Sequence, residues 1–371
     1  MKIAFHLNCL THGGAERVVT NLAGQFAEHG DEVIVATEWT DPNEYELHPS
    51  VRRVHVGLLP AEEGKGRAAK ALARRSHLHD FMVREKPNVL VAFARKAIYR
   101  SLSACRGTGV PVVISVRVDP KATYTGALNS IMIRLLFGRA AGGVFQTPDA
   151  RDFFSEDIRR RSVVILNPVT QKYIDAPDTP LSARTKTVVS VGRLVFFKNQ
   201  TMLVHAFSKV HEKHPDYVLK IYGPDSGDGA KTSIKEAIHE HHLEDVVFLM
   251  GDCSTLEKEI RDAACFAFSS DYEGMPNALM EAMALGLPVI STDCRPGAPR
   301  MLIQSGENGL LVPVGDTDRM AQAILYMIEN PQKAQAMGER ARRIRERANE
   351  EVIYRQWRDF LLEVSAHGRR S

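Results

Sequence analysis

Short, wholly apolar runs recur along this chain with helix-patterned stretches between them. That alternation restricts the fold more than any other feature. The first run lies at 3–7 and is broken by Gly13-Gly14. Residues 17–27 then carry apolar side chains at helical spacing, Gly30 ends the helix, and a second apolar run follows at 32–37. Runs this short, bounded by turn residues, suit strands buried on both faces, as in a parallel sheet covered by helices. Strand, glycine loop, helix, strand is a βαβ unit. Further strands are expected at 89–93, 112–116, 143–146 and 163–166.

A second series begins at 187–192 and continues with strands at 218–222, 246–249, 264–269 and 288–291. Helices are expected between them at 199–213, 229–242, 255–263 and 276–285. Between the two series, Asn167-Pro168-Val169 opens a polar stretch containing Pro177 and Pro180. The pattern predicts two doubly wound, Rossmann-like α/β domains facing a central cleft. Their bounds are 1–170 and 187–350, with a linker at 171–186 and a C-terminal helix at 351–371 that packs back on the first domain. A chain of 371 residues is long enough for two cores.

Composition removes several classes. With 44% apolar and 25% charged residues the chain is neither disordered nor fibrous. No apolar run approaches the length of a spanning helix, and the N-terminus lacks the pattern of a signal peptide. The five cysteines are scattered, without a C-x-x-C pair, which argues against a disulfide framework or a zinc cage and fits a reducing cytoplasm. Residues 65–139 hold 15 Lys and Arg against 3 acidic residues. Such a window suits phosphates or an anionic membrane surface. Nucleic acid is not expected as a partner, because no aromatic interleaving or nucleic-acid module accompanies it.

The richest chemistry lies at 269–290. A strand ends at Ser269, a loop with Glu273, Gly274 and Pro276 follows, and a helix begins near Asn277. Free N–H groups of a first helical turn, with the helix dipole, make an anion site. Glu273 precedes that site and Glu281 lies two turns beyond it. Carboxylates accept from sugar and ribose hydroxyls, so the spacing suits a ligand with phosphate in the middle and hydroxyls at both ends.

The run Glu-Gly-Met-Pro-Asn-Ala-Leu-Met-Glu-Ala-Met-Ala-Leu-Gly-Leu-Pro-Val-Ile, from Glu273 to Ile290, closely resembles the donor-site signature of the retaining family-4 glycosyltransferases, which have the GT-B fold. Gly13-Gly14-Ala15-Glu16-Arg17 resembles their N-domain glycine loop, and Val191-Gly192-Arg193-Leu194 with Lys198-Asn199 resembles their Gly-Arg-Leu…Lys-Asn segment. Ser291–Cys294 and 306–312 resemble the strand and loop after the donor helix. The resemblance spans nearly the whole chain and is thinnest at 40–110.

The resemblance implies residue roles. Arg193 and Lys198 would bind the donor diphosphate and stabilise the leaving nucleotide, and Glu273 would hold hydroxyls of the transferred sugar. Backbone N–H groups of Gly274, Met275, Asn277, Ala278 and Leu279 would line sugar and phosphate, and Glu281 would hold the ribose. Gly14 would let the N-domain backbone approach the diphosphate. No metal is needed where two cations neutralise the leaving group. Ser115-Val116-Arg117-Val118-Asp119-Pro120 resembles a segment of relatives that extend lipid-linked or capsular glycans; Arg117 would meet a phosphate and Asp119 an acceptor hydroxyl, unless the two simply pair with each other. His6 and His12 near the glycine loop are either acceptor contacts or packed strand-end side chains.

Two positions depart from the family pattern. Phe197 stands where relatives often carry a polar residue, and Tyr222-Gly223-Pro224-Asp225 replaces Tyr-Gly-x-Gly. His239, His241 and His242 are read as solvated helix surface. The expectation is a cytoplasmic, peripheral, metal-independent enzyme of bacterial surface-glycan assembly. It would move a hexose or N-acetylhexosamine from a UDP-sugar, with retention, to a glycan or polyprenyl-diphosphate-glycan acceptor. A nucleotide-sugar epimerase and a non-catalytic nucleotide-sugar-binding subunit are the alternatives.

Overall fold

The computed structural model describes residues 1–11 and 13–368. Two compact units divide it: Met1–Asn167 with the chain from Glu351 onward, and Pro168–Glu350.

The first unit is built on a seven-stranded parallel sheet in the order β3-β2-β1-β4-β5-β6-β7. Its strands are β1 (Lys2–Leu7), β2 (Glu32–Thr37), β3 (Arg52–His55), β4 (Val89–Phe93), β5 (Val112–Val116), β6 (Gly142–Phe145) and β7 (Ser162–Val164). β4 and β5 are buried along their whole length, as their unbroken apolar sequences require. Helix Gly14–Glu28 turns Val18, Val19, Leu22, Ala23 and Phe26 inward. β3, with sequence Arg-Arg-Val-His, is the strand that apolar runs do not announce. It is an edge strand paired only to β2, so it needs no apolar face on both sides.

Helix Glu350–Gly368 adds its apolar side to this unit. Trp357 is fully buried and stacks on Phe93 with ring centroids 6.1 Å apart, while Tyr354 meets Phe26 edge-on at 5.0 Å.

The second unit holds a six-stranded parallel sheet in the order β10-β9-β8-β11-β12-β13. Its strands are β8 (Thr185–Val191), β9 (Val218–Tyr222), β10 (Val247–Gly251), β11 (Ala263–Phe268), β12 (Val289–Thr292) and β13 (Leu310–Val312). Helices Gln200–Lys213, Ala230–Glu240, Asn277–Ala284 and Thr317–Glu329 are the main ones between and after them. The segment 168–186 packs on this unit: the Arg184 guanidinium donates to the carbonyls of Arg261, Ala263 and Gly286 at 2.8–3.2 Å.

In each sheet the strand order reverses once, between β1 and β4 and between β8 and β11. Neighbouring loops at the carboxyl ends diverge there, leaving a crevice where ligands of open α/β sheets bind.

Candidate functional site

The loops after β8 and β11 flank the reversal point of the second sheet, and they carry Arg193, Lys198 and Glu273. A series of hydrogen bonds ties them together. Asp271 N–H donates to Phe197 O at 2.8 Å, and the Ser269 hydroxyl donates to Lys198 O at 2.8 Å. Asn199 adopts a left-handed backbone (φ 50°) and caps helix Gln200–Lys213: its Oδ1 accepts from Met202 N–H at 3.3 Å and its Nδ2 donates to Asp271 Oδ1 at 2.8 Å. Gln200 donates to Arg193 O at 3.0 Å. The Glu273 loop is braced from its other side, where Glu273 N–H donates to Arg295 O at 2.8 Å.

Held this way, the Lys198 ammonium contacts Glu273 Oε1. It lies 5.0 Å from the centre of the Phe268 ring and against Gly192. Burial pushes its pKa down to about 8; Cys294 opposes that shift and Arg193 adds to it. Contact with the Glu273 carboxylate favours the charged form. Arg193 is exposed at the same loop. Two cations and a carboxylate thus converge where β8 and β11 end.

Phe197 has a structural reason: its ring stacks on Tyr272 at 4.8 Å and 22°, covering the junction of the two loops. Gly223 has another. A Cβ there would sit 2.1 Å from Gly192 O and 3.1 Å from Arg193 N, so the turn after β9 presses directly on the peptide that launches the Arg193 loop. Leu194 N–H also donates to Pro224 O at 2.9 Å.

Helix Asn277–Ala284 begins after Pro276. Leu279 N–H already donates to Pro276 O at 3.1 Å, which removes it from the expected anion donors; the amides of Asn277 and Ala278 precede any helical acceptor. Gly274 and Met275 are buried, and Glu281 is buried at 6% exposure rather than lying on the surface.

In the first unit, Gly13 is the N-cap of helix Gly14–Glu28 at the end of β1. His12 lies outside the described residues. His6 is fully buried; its Nδ1 is 2.8 Å from Ser101 Oγ and its Nε2 is 3.6 Å from Glu38 Oε1. Burial, with Arg100 adding to it, pushes its pKa down to about 3, so the ring is neutral in the working range. His6 is therefore a packed strand-end histidine. Glu38, which no motif announces, is buried between Arg100 and Arg74. Arg117 donates to Asn167 Oδ1, its Nε and Nη1 are buried without a hydrogen-bond partner, and burial pushes its pKa down to about 9. Asp119, 2% exposed, caps the short helix Pro120–Thr123 by accepting from Lys121 N–H at 3.0 Å.

Two Rossmann-like units, one with a cationic loop pair at its strand-order reversal, are the arrangement of a phosphate-binding α/β protein. The family models agree with that class and narrow it. Residues 12–172 match the model described as Glycosyltransferase Family 4, and residues 174–344 match Glycosyl transferases group 1. The chain belongs to these glycosyltransferases, and its fold is GT-B.

An uncharacterized glycosyltransferase of Haemophilus influenzae is 29% identical over 96% of this chain and 98% of its own length. The N-acetylgalactosamine-N,N'-diacetylbacillosaminyl-diphospho-undecaprenol 4-alpha-N-acetylgalactosaminyltransferase of Campylobacter jejuni is 25% identical over 92% of this chain and 94% of its own. Among solved structures, Anabaena HepE in complex with UDP superposes with a TM-score of 0.82 at 18% identity, covering 98% of this chain and 100% of that one.

Proposed function

We propose that this chain transfers a hexose or N-acetylhexosamine, with retention, from a UDP-sugar to a hydroxyl of a glycan carried on polyprenyl diphosphate, in bacterial surface-glycan assembly. The observation that carries the reading is the Lys198–Glu273 contact beside exposed Arg193 at the ends of β8 and β11. In the free protein Glu273 neutralises Lys198. An incoming diphosphate takes over that cation, and Glu273 is released to accept from hydroxyls of the sugar. Arg193 and Lys198 then stabilise the charge that grows on the departing nucleotide.

Amides of Gly274, Met275, Asn277 and Ala278 line the sugar and phosphate, and Glu281 holds the ribose. With two cations on the leaving group, the reaction proceeds without a metal, and chelators leave the rate unchanged. The acceptor hydroxyl attacks the face from which UDP departs, and its proton passes to a phosphate oxygen of the donor. That route asks for no nucleophilic carboxylate.

The Campylobacter relative, by its name, acts on a diphospho-undecaprenol glycan, which supports the acceptor class. Arg117, with two buried unpartnered guanidinium nitrogens, is the residue we assign to an acceptor phosphate, and Asp119 orients the hydroxyl from its capping position. The setting is the cytoplasmic face of the membrane, with the protein peripheral. Helix Ala127–Leu136 supports this, since Leu128, Ile131 and Leu135 are 73%, 53% and 62% exposed along one stripe, and no acidic residue occurs between Asp119 and Asp149. Among the described residues no helix is long and apolar enough to cross a membrane.

The test is UDP release from a panel of UDP-sugars, with and without a detergent extract of bacterial lipid-linked glycans, followed by product mass and anomeric configuration. Release with one sugar, dependent on extract, with a one-sugar mass gain and an α product from an α donor, is expected. Interconversion of the UDP-sugar without acceptor would make the chain an epimerase. Glu273→Ala is expected to abolish transfer while leaving UDP binding in place; loss of both would refute the assigned roles. Binding to anionic vesicles is expected to fall as salt rises.

A further inference from the structure

Helices Gln200–Lys213 and Ala230–Glu240 are successive crossovers of the second unit and share one apolar cluster, in which Val204 and Phe207 join Ile234 and Ile238. The two helices are also joined by a polar group. His205 projects from the first helix, Glu240 is the last residue of the second, and His241 is its C-cap. His205 Nδ1 lies 2.8 Å from His241 Nε2, with the rings nearly perpendicular at 82°. The three donor atoms all fall within 4.8 Å of one another, and among the described residues this is the one such group.

The arrangement differs from what the His-Glu-His-His run suggests by itself. His239 turns away to Glu244, its Nδ1 2.8 Å from Oε1, and His242 lies past the helix end in a left-handed conformation. The partner that completes the group, His205, comes from 36 residues earlier and is brought in by packing of the two helices.

We propose that His205, Glu240 and His241 bind one divalent transition-metal ion of the zinc class, pinning these two helices together. Two imidazole nitrogens with a carboxylate oxygen are the donors that zinc prefers, and a one-sided triad leaves its fourth tetrahedral position to water. Calcium and magnesium require more oxygen donors than this group offers. The two facing ring nitrogens stand at hydrogen-bond distance, 2.8 Å. Zinc at about 2.0–2.1 Å from each nitrogen spreads them to roughly 3.3 Å, a shift of about half an ångström that side-chain rotation supplies. Both rings are half-buried and Glu240 is exposed, so the ion enters from solvent. The site is separate from the donor loops: His205 lies two helical turns beyond Lys198.

The experiment titrates zinc into the full chain after chelator treatment, read by calorimetry and by melting temperature, with magnesium as the control. One zinc per chain, a raised melting temperature and no response to magnesium are expected. His205→Gln and His241→Gln are each expected to weaken zinc binding at least about tenfold, and Glu240→Gln, at an exposed position, to weaken it without loss of folding. His239→Gln is expected to leave it unchanged. UDP binding by each variant reports that the unit is folded. Absence of stoichiometric zinc in the wild type would overturn the proposal. So would full affinity in folded His205→Gln, or loss of binding confined to His239 or His242 variants.

Discussion

Gly223→Ala is the substitution whose effect follows most directly from distances. The added Cβ would fall 2.1 Å from Gly192 O and 2.6 Å from Gly192 C, in a backbone with φ of +140°. Carbon and its neighbours sit comfortably at about 3.5 Å, so the two segments must separate by about 1.4 Å. Neither yields freely. Gly192 N–H donates to Tyr222 O and Leu194 N–H to Pro224 O, both at 2.9 Å, so the Gly192–Arg193 peptide is held on each side of the overlap. The unfavourable φ adds about 1–2 kcal/mol. At about 2–4 °C per kcal/mol for a unit of this size, a fall in melting temperature of several degrees is expected.

The functional effect should be larger. The displaced peptide begins the loop that carries Arg193 and Lys198, and a 1 Å misplacement of binding groups costs on the order of 100-fold in rate. Calorimetric UDP binding and UDP-release kinetics on the same folded sample measure both effects. A Gly223→Ala protein with unchanged melting temperature, UDP affinity and rate would refute the reasoning, because it would show that the turn after β9 does not fix the Arg193 loop.

Further outcomes follow from the same geometry. With the Lys198 ammonium lowered to about 8, the charged form that meets a diphosphate is lost as pH rises through that value, so UDP affinity is expected to drop about tenfold between pH 7 and pH 9. Lys198→Gln should weaken binding and flatten the profile, and a wild-type affinity that is level across this range would contradict the assignment. Phe197→Ala removes the stack on Tyr272 and is expected to cost about 1 kcal/mol of stability and to loosen UDP binding, whereas Phe197→Tyr should restore both. Arg52 beside Glu85, after a smaller opposing effect of burial and with Lys2 helping, pushes that carboxyl down to about 2. A depressed carboxylate contributes stability above its unfolded value near 4.3 and loses it as pH falls toward 2. Glu85→Gln should therefore destabilise at pH 7 and converge with wild type near pH 2, as chemical denaturation at the two pH values would show.

The alternation of apolar runs determined that this chain makes two parallel α/β sheets, because a strand without a polar face has nowhere to go but between two layers of helices. The Glu273–Ile290 run and the Gly-Arg-Leu…Lys-Asn segment likewise marked the donor loops, since glycine, proline and charge at fixed spacing constrain backbone and chemistry locally. Tertiary structure decided what depends on residues far apart in sequence meeting. Lys198 finds Glu273 across 75 positions, and His205 finds His241 across 36. His6 is neutral and enclosed because Ser101, Glu38 and Arg100 close over it, which its place at a strand end does not reveal. The Leu279 amide is occupied by a carbonyl only three residues back, a detail of helix-start geometry that residue types do not specify. β3 was illegible because an edge strand needs only one bonded neighbour and tolerates arginine. Local patterns encode which elements form; which side chains share a proton, a charge or a ligand is set by the packing that brings those elements together.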